Sequence, residues 1–218
     1  MAVSFDTAEL LHIFPTFLWR ANLKPAEFEP LAAALLKMLA EIGAPLGDLR
    51  PGQNWQSDQG LHDDPRLAGL MEVVATAAQN LLATLKIDAP LAVTGCWANV
   101  NAPGTGHRLH SHRNNFLSGV YYVQVQEQAN SINFFDPRPQ AGVIRPSVTQ
   151  STAENTEVVS LGVTNGTLLL FPAWLPHAVD INRSRQPRIS LSFNLMFRDF
   201  AERMARPNWT PGIGDSGS

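Results

Sequence analysis

The sequence predicts a mainly β protein of the α+β class, a sandwich or barrel with helices packed on one outer face. Two amphipathic helical stretches come first, and after Ile87 the chain breaks into short β-like runs separated by turn residues. In the last run, Ile189, Leu191, Phe193 and Leu195 alternate with Arg188, Ser190, Ser192 and Asn194. One face of that strand is oily and suits a helix layer, while the other is polar and carries an arginine. A polar face turned into a barrel mouth makes a ligand site.

The first element is an apolar stretch, "HIFPTFLWR", broken by Pro15 and able to form a first strand. Residues 25–43 read as a helix with Leu31, Leu35, Met38 and Ile42 on one face and Gly43 as its stop. Residues 44–63 read as loop. A second helix is expected from Pro65 to Leu85, capped by Asp64, with Leu67, Leu70, Val74, Leu81 and Leu85 as its buried stripe. Strands are expected at 91–101, 116–125, 131–135, 157–163, 167–171 and 188–197. Together these give a single domain over 1–205, with a helical part at 25–87, a β core at 88–198 and a flexible tail at 206–218.

Composition narrows the class. With 44% hydrophobic and 16% charged residues in a 218-residue chain, a packed core is expected and disorder is excluded. A net charge of -3 and no long basic run give nucleic acid no footprint. Cys96 is the single cysteine, so no internal disulfide forms. No signal-like N-terminus is visible, and the sequence reads as having no apolar stretch of the roughly 20 residues that a membrane helix needs. The expectation is a soluble, cytoplasmic protein with no membrane partner; homo-oligomerisation stays open.

Three of the six histidines fall within "HRLHSH", residues 107–112. On a strand, His110 and His112 point to one side, so two imidazoles converge on one point, as a metal site requires. His177, in "GTLLLFPAWLPHAV", follows an apolar strand and a tight turn and is the best third ligand. His107 has the wrong parity for that face and reads as a loop bystander. Arg188 lies eleven residues after His177, with Ser190 two further on; its planar fork suits a carboxylate gripped at two points.

"HSHRNNFLSGVYYV", "INFFDPRP", "GTLLLFPAWLPHAV" and "RISLSFNL" together resemble the Fe(II)- and 2-oxoglutarate-dependent oxygenases, in particular a bacterial group with a His-x-His motif. The resemblance spans about residues 91–197. It implies a double-stranded β-helix, a jelly-roll barrel, in which His110, His112 and His177 hold Fe(II). It implies that Arg188 binds the far carboxylate of 2-oxoglutarate with Ser190 and Tyr122, and that Asn115 and Ser118 line the same pocket. O2 is the oxidant, and the expected reaction is hydroxylation of a small-molecule or peptide substrate with release of succinate and CO2. Arg138 could meet an anionic group on that substrate or pair within its own turn. Trp55 and Trp174 are candidate walls of the entrance.

One departure stands out. The superfamily usually has Asp or Glu where this chain has His112. All three histidines could bind, His110 and His177 could bind alone, or His112 could bind with His110 behind it. Two other readings compete. A three-histidine cupin dioxygenase would need no 2-oxoglutarate, but Phe116 and Leu117 stand where its glutamate is expected, and Arg188 would lose its purpose. A non-catalytic jelly-roll module would use the histidines for a structural metal, which usually takes four protein ligands.

Overall fold

The computed structural model describes residues 4–144 and 146–202, together with the backbone of Gly212–Asp215. Strand β1 (Trp19–Asn22) leads into helix α1 (Pro25–Glu41), then β2 (Gln53–Gln56), two short 3-10 turns and helix α2 (Ala68–Leu85). The β region follows as β3 (Leu91–Asn101), β4 (His107–His110), β5 (Leu117–Gln124), β6 (Ser131–Phe135), β7 (Val158–Gly162), β8 (Thr167–Pro172), β9 (His177–Val179) and β10 (Arg188–Phe197). A single helical turn, α3 (Arg198–Ala201), and β11 (Gly212–Asp215) complete the described chain.

Helix α1 opens on Pro25, whose missing N–H costs nothing in a first turn, and stops at Gly43, held at φ 80. Its buried face is Ala32, Leu35, Met38 and Leu39, with Leu31 and Ile42 only partly buried beside it. Asp64 caps the 3-10 turn that leads into α2 by accepting the Arg66 backbone N–H at 2.9 Å. Leu70, Val74, Ala77, Ala78, Leu81 and Leu82 form the buried face of α2. The helical stretch Pro65–Leu85 is 21 residues long and holds an 18-residue window of mean hydropathy 1.2, enough by length and composition alone to cross a membrane. The sequence expectation that no stretch reaches that size is corrected here. The buried face of α2 in the core accounts for the composition.

The strands form two antiparallel sheets, one ordered β1-β8-β5-β10-β3-β2-β11 and the other β4-β9-β6-β7. This is the expected jelly-roll barrel with helices on one outer face. Alternation along each strand divides the apolar residues into two cores. Cys96, Ala98 and Val100 of β3, Tyr121 of β5 and Ile189, Leu191 and Phe193 of β10 meet the helices. Val120 and Tyr122 of β5, Leu169 and Phe171 of β8 and Ile132 and Phe134 of β6 pack between the sheets. The other inward positions of β3 and β10, polar except for Trp97, line the cavity.

Three expectations shift. The 44–63 loop contains β2, and "HIFPTFLWR" becomes strand only at its end, as β1. Gly212–Asp215, within the expected flexible tail, pair with β2; the other residues of 206–218 lie outside the described residues.

Candidate metal centre and its cavity

Strands β4 and β9 are direct partners, with His110 opposite His177, so one ladder rung supplies two imidazoles. His112 follows two residues later, where its backbone N–H donates to the Ala173 carbonyl at 2.8 Å. One nitrogen from each of His110, His112 and His177 lies within 4.8 Å of the others. Ring centroids are 4.3 Å apart for His110 and His177 and 5.3 Å for His112 and His177. Phe171 meets the His177 ring edge-on at 4.8 Å, and Trp97 tilts against His112 at 5.7 Å.

Two of the rings have a defined tautomer. His110 Nδ1 bonds to the Arg108 carbonyl at 2.7 Å, and His177 Nδ1 to the Leu175 carbonyl at 2.9 Å. A carbonyl only accepts, so Nδ1 carries the proton in both, and Nε2 keeps its lone pair for a metal. Burial holds His112 down to about 3 and His177 to about 4, with neighbouring imidazoles adding to both shifts. Both rings are neutral at pH 7, the form that binds a metal.

The cluster opens into a cavity of about 490 Å³ whose far end holds Arg188. Arg188 is 2% exposed, yet it forms no ion pair among the described residues. Its contacts are long hydrogen bonds to the Ala129 carbonyl at 3.5 Å and to Asn101 Oδ1 at 3.3 Å. Burial lowers its pKa, while Tyr122 and Asp180 oppose that shift. The Asp180 carboxylate is engaged by Asn133 Nδ2 at 2.8 Å. A buried cation without a carboxylate is costly, and the site fits a ligand that brings one. Ser190 and Tyr122 line the same end, and burial pushes the Tyr122 phenol up to about 12, so it remains a hydrogen-bond donor at pH 7.

Of the residues singled out in the sequence, His110, His112, His177, Arg188, Ser190, Tyr122 and Asn115 line this one cavity. Ser118 does not; its hydroxyl donates to Asn194 Oδ1 at 2.7 Å and supports that wall residue from beside it. The three proposed substrate contacts lie elsewhere. Arg138 pairs with Asp136 through two side-chain bonds of 2.9 Å each, the turn salt bridge. Trp174 is 55% exposed outside the cavity, and Trp55 packs against the helix-side core. Trp97, Gln56, Gln59, Asn99, Ser192 and Arg113 form the wall in their place. The alternation in "CWANVN" carried that signal, because Trp97 and Asn99 are out of phase with buried Cys96, Ala98 and Val100.

His107 also needs correction. It lies in β4, not in a loop, and it lines the cavity. Between His107 and His110 the β4 register shifts, with three steps on β4 matching two on β9. This β-bulge restores the parity that simple alternation denied. Gly106 lets the strands approach there, since a Cβ would sit 2.5 Å from the Val179 carbonyl oxygen.

A jelly-roll barrel with three converging imidazoles and a buried arginine makes a site fit to hold a metal ion and an anionic ligand. The barrel is that of the Fe(II)- and 2-oxoglutarate-dependent oxygenases: residues 95–194 match the family model described as "Putative 2OG-Fe(II) oxygenase". Solved structures share the fold at low identity. The 2-oxoglutarate-dependent carbocyclase SnoK from nogalamycin biosynthesis aligns with TM-score 0.61 and 15% identity, over 90% of this chain and 92% of that one. A Pseudomonas putida prolyl-4-hydroxylase gives 0.56 and 17%, over 84% and 94%. HygX from Streptomyces hygroscopicus, solved with nickel and 2-oxoglutarate, gives 0.54 and 12%, over 84% and 83%. A search of the curated proteins gave no match. The cofactors of this class are Fe(II) and 2-oxoglutarate, with O2 as the usual cosubstrate.

Proposed function

We propose that the protein is a hydroxylase that uses Fe(II), 2-oxoglutarate and O2 to oxidise a polar small molecule or peptide side chain. The observation that carries this reading is Arg188, buried and without an ion pair among the described residues, in the same cavity as the three histidines. His110, His112 and His177 hold the metal through neutral imidazoles. Arg188, Ser190 and Tyr122 take the far carboxylate of the cosubstrate, and Asn115 stands at the other end of the cavity. When bound, iron and 2-oxoglutarate supply O2-driven oxidation of a C–H bond, with succinate and CO2 as coproducts.

The protein's own work is positioning and exclusion of water. Val120, Ile132, Phe171 and Val179 supply the apolar part of the wall, which favours charge recognition by the arginine. The substrate side is rich in amides. Gln56 Nε2 donates to Asn99 Oδ1 at 2.7 Å, and Asn99 Nδ2 donates to Ser192 Oγ at 3.0 Å, a ladder across β2, β3 and β10. No Asp or Glu lines the cavity among the described residues, and Arg113 adds a second cation. That charge pattern favours a neutral or anionic polar substrate over a cationic one. The single buried cysteine suits a reducing cytoplasm, and the modest net charge gives no support to a nucleic-acid substrate.

The test is anaerobic titration of the Fe(II)-loaded protein with 2-oxoglutarate, read by the weak visible charge-transfer band of the chelate. The band is expected in the wild type and lost in Arg188→Ala with Fe(II) binding retained. Fe(II) binding without a band would overturn the reading.

A further inference from the structure

The chemistry of the metal cluster leaves one cavity histidine unused. His107 is brought inward by the β4 bulge, and its Nε2 lies 3.0 Å from Asn101 Oδ1. Arg188 Nη2 donates to that same oxygen at 3.3 Å. A guanidinium has only donors, so the atom it meets is the amide oxygen, and His107 Nε2 must also be a donor. Nε2 therefore carries a proton. Burial, with Arg188 next in effect, holds the ring neutral, its pKa down to about 3.

This arrangement locks an amide. Turning Asn101 over would set its NH2 against two donors, so its oxygen stays on Arg188. Asn101 is itself 1% exposed, and its Nδ2 is a buried donor with no acceptor among the described residues. Asn101 sits opposite Arg188 on the neighbouring strand β3. Arg188 offers five N–H donors and uses them on two long contacts, so little else on the polar side fixes its plane.

We propose that His107 is a positioning residue for the cosubstrate: by holding Asn101 against Arg188 it sets the guanidinium's orientation toward the far carboxylate of 2-oxoglutarate. The inference rests on the cosubstrate reading above. It places His107 outside the metal's ligand set and behind the carboxylate site.

The experiment measures Fe(II) affinity and, by the charge-transfer band, the 2-oxoglutarate Kd of anaerobic protein. His107→Phe keeps the ring's bulk and removes the donor; it raises the 2-oxoglutarate Kd about tenfold, one hydrogen bond's worth, with Fe(II) affinity unchanged. His107→Gln returns an N–H near the Nε2 position and stays within about threefold of wild type. Asn101→Ala matches the Phe variant, and the double variant loses no more than either alone, the coupling that independent structural effects lack. The proposal is overturned if His107→Phe binds 2-oxoglutarate as the wild type does, if Fe(II) affinity falls in parallel, or if the double variant is additive. Should the Phe variant not fold, a His107→Gln Kd raised tenfold overturns the proposal and a near-wild-type Kd sustains it. A wild type that binds Fe(II) but gives no band identifies failure of the cosubstrate reading itself, and both fall.

Discussion

Gly119, in "SGVYY", is the position where a single methyl group should cost most. It pairs with Phe193 on β10 and Leu170 on β8, so its Cα faces the helix-side core between two fixed neighbours. A Cβ built there would lie 2.7 Å from the Leu169 carbonyl oxygen and closer still to the ring of Phe193, which is 0% exposed. Ordinary contacts are about 3.5–4.0 Å, so Gly119→Ala requires a displacement of roughly 1 Å within a closed sheet. Overpacking of that kind costs about 1–3 kcal/mol, and the fixed strands on both sides place this case near 3. For a chain of this size each kcal/mol moves the melting temperature by about 2–4 °C, so the variant should melt about 6–12 °C lower. Scanning calorimetry of the metal-free protein measures it. The neighbours Ser118 and Val120 alternate to the other face, and Tyr122 follows on that face, so the 2-oxoglutarate Kd should rise as well. A melting temperature within about 2 °C of wild type would refute the packing argument.

The three histidines should not be equivalent. His110 and His177 have Nδ1–H bonds to backbone carbonyls that aim Nε2, whereas His112 is steadied by its ring contact with Trp97. His110→Ala and His177→Ala should therefore weaken Fe(II) binding by more than about 100-fold, and His112→Ala by less, as measured by anaerobic calorimetry. Equal losses at all three would show that pre-orientation plays no part. Acid should destabilise the metal-free fold. His107 and His112 titrate near 3 and His177 near 4 in the folded chain, against about 6.5 when unfolded. Between those values the unfolded state binds more protons, so this contribution is complete above about pH 6.5 and is lost as pH falls toward 3. Thermal melts from pH 8 to 4 should show a plateau followed by a decline; a rise on acidification would contradict it.

Strand and helix periodicity made the barrel legible, because each long strand of the helix-side sheet sends every second residue into the core beneath the helices. The limits of β3, β6 and β10 match those read from the sequence. What escaped lacked an apolar rhythm. β2 is "QNWQ", a strand chosen by its neighbour rather than by its own residues, and it carries Gln56 into the cavity. His107 was misplaced because a bulge adds a residue that simple alternation does not anticipate. Of the two roles open to Arg138, an anionic substrate contact and a turn salt bridge, the structure shows the second, with Asp136 two residues earlier as partner. Trp97 is legible only through its phase in β3, which sets it opposite Cys96 and Ala98 and turns it into the cavity.

The buried arginine also separates the competing chemistries. A structural metal site would need only the histidines and would gain by closing over them, yet here they open into a cavity. A cupin-type dioxygenase also needs an open metal, but it gives no reason to bury a guanidinium at the far end without an ion pair. Such a group lowers stability unless binding repays it. The chain holds Arg188 2% exposed, its hydrogen bonds among the described residues going to neutral acceptors, in a cavity also lined by Ser190 and Tyr122, whose hydroxyls can donate to a carboxylate. Among the described residues no acidic side chain lines the cavity, which supports the proposed reading, in which a dicarboxylate would put one end on Arg188 and the other on the metal.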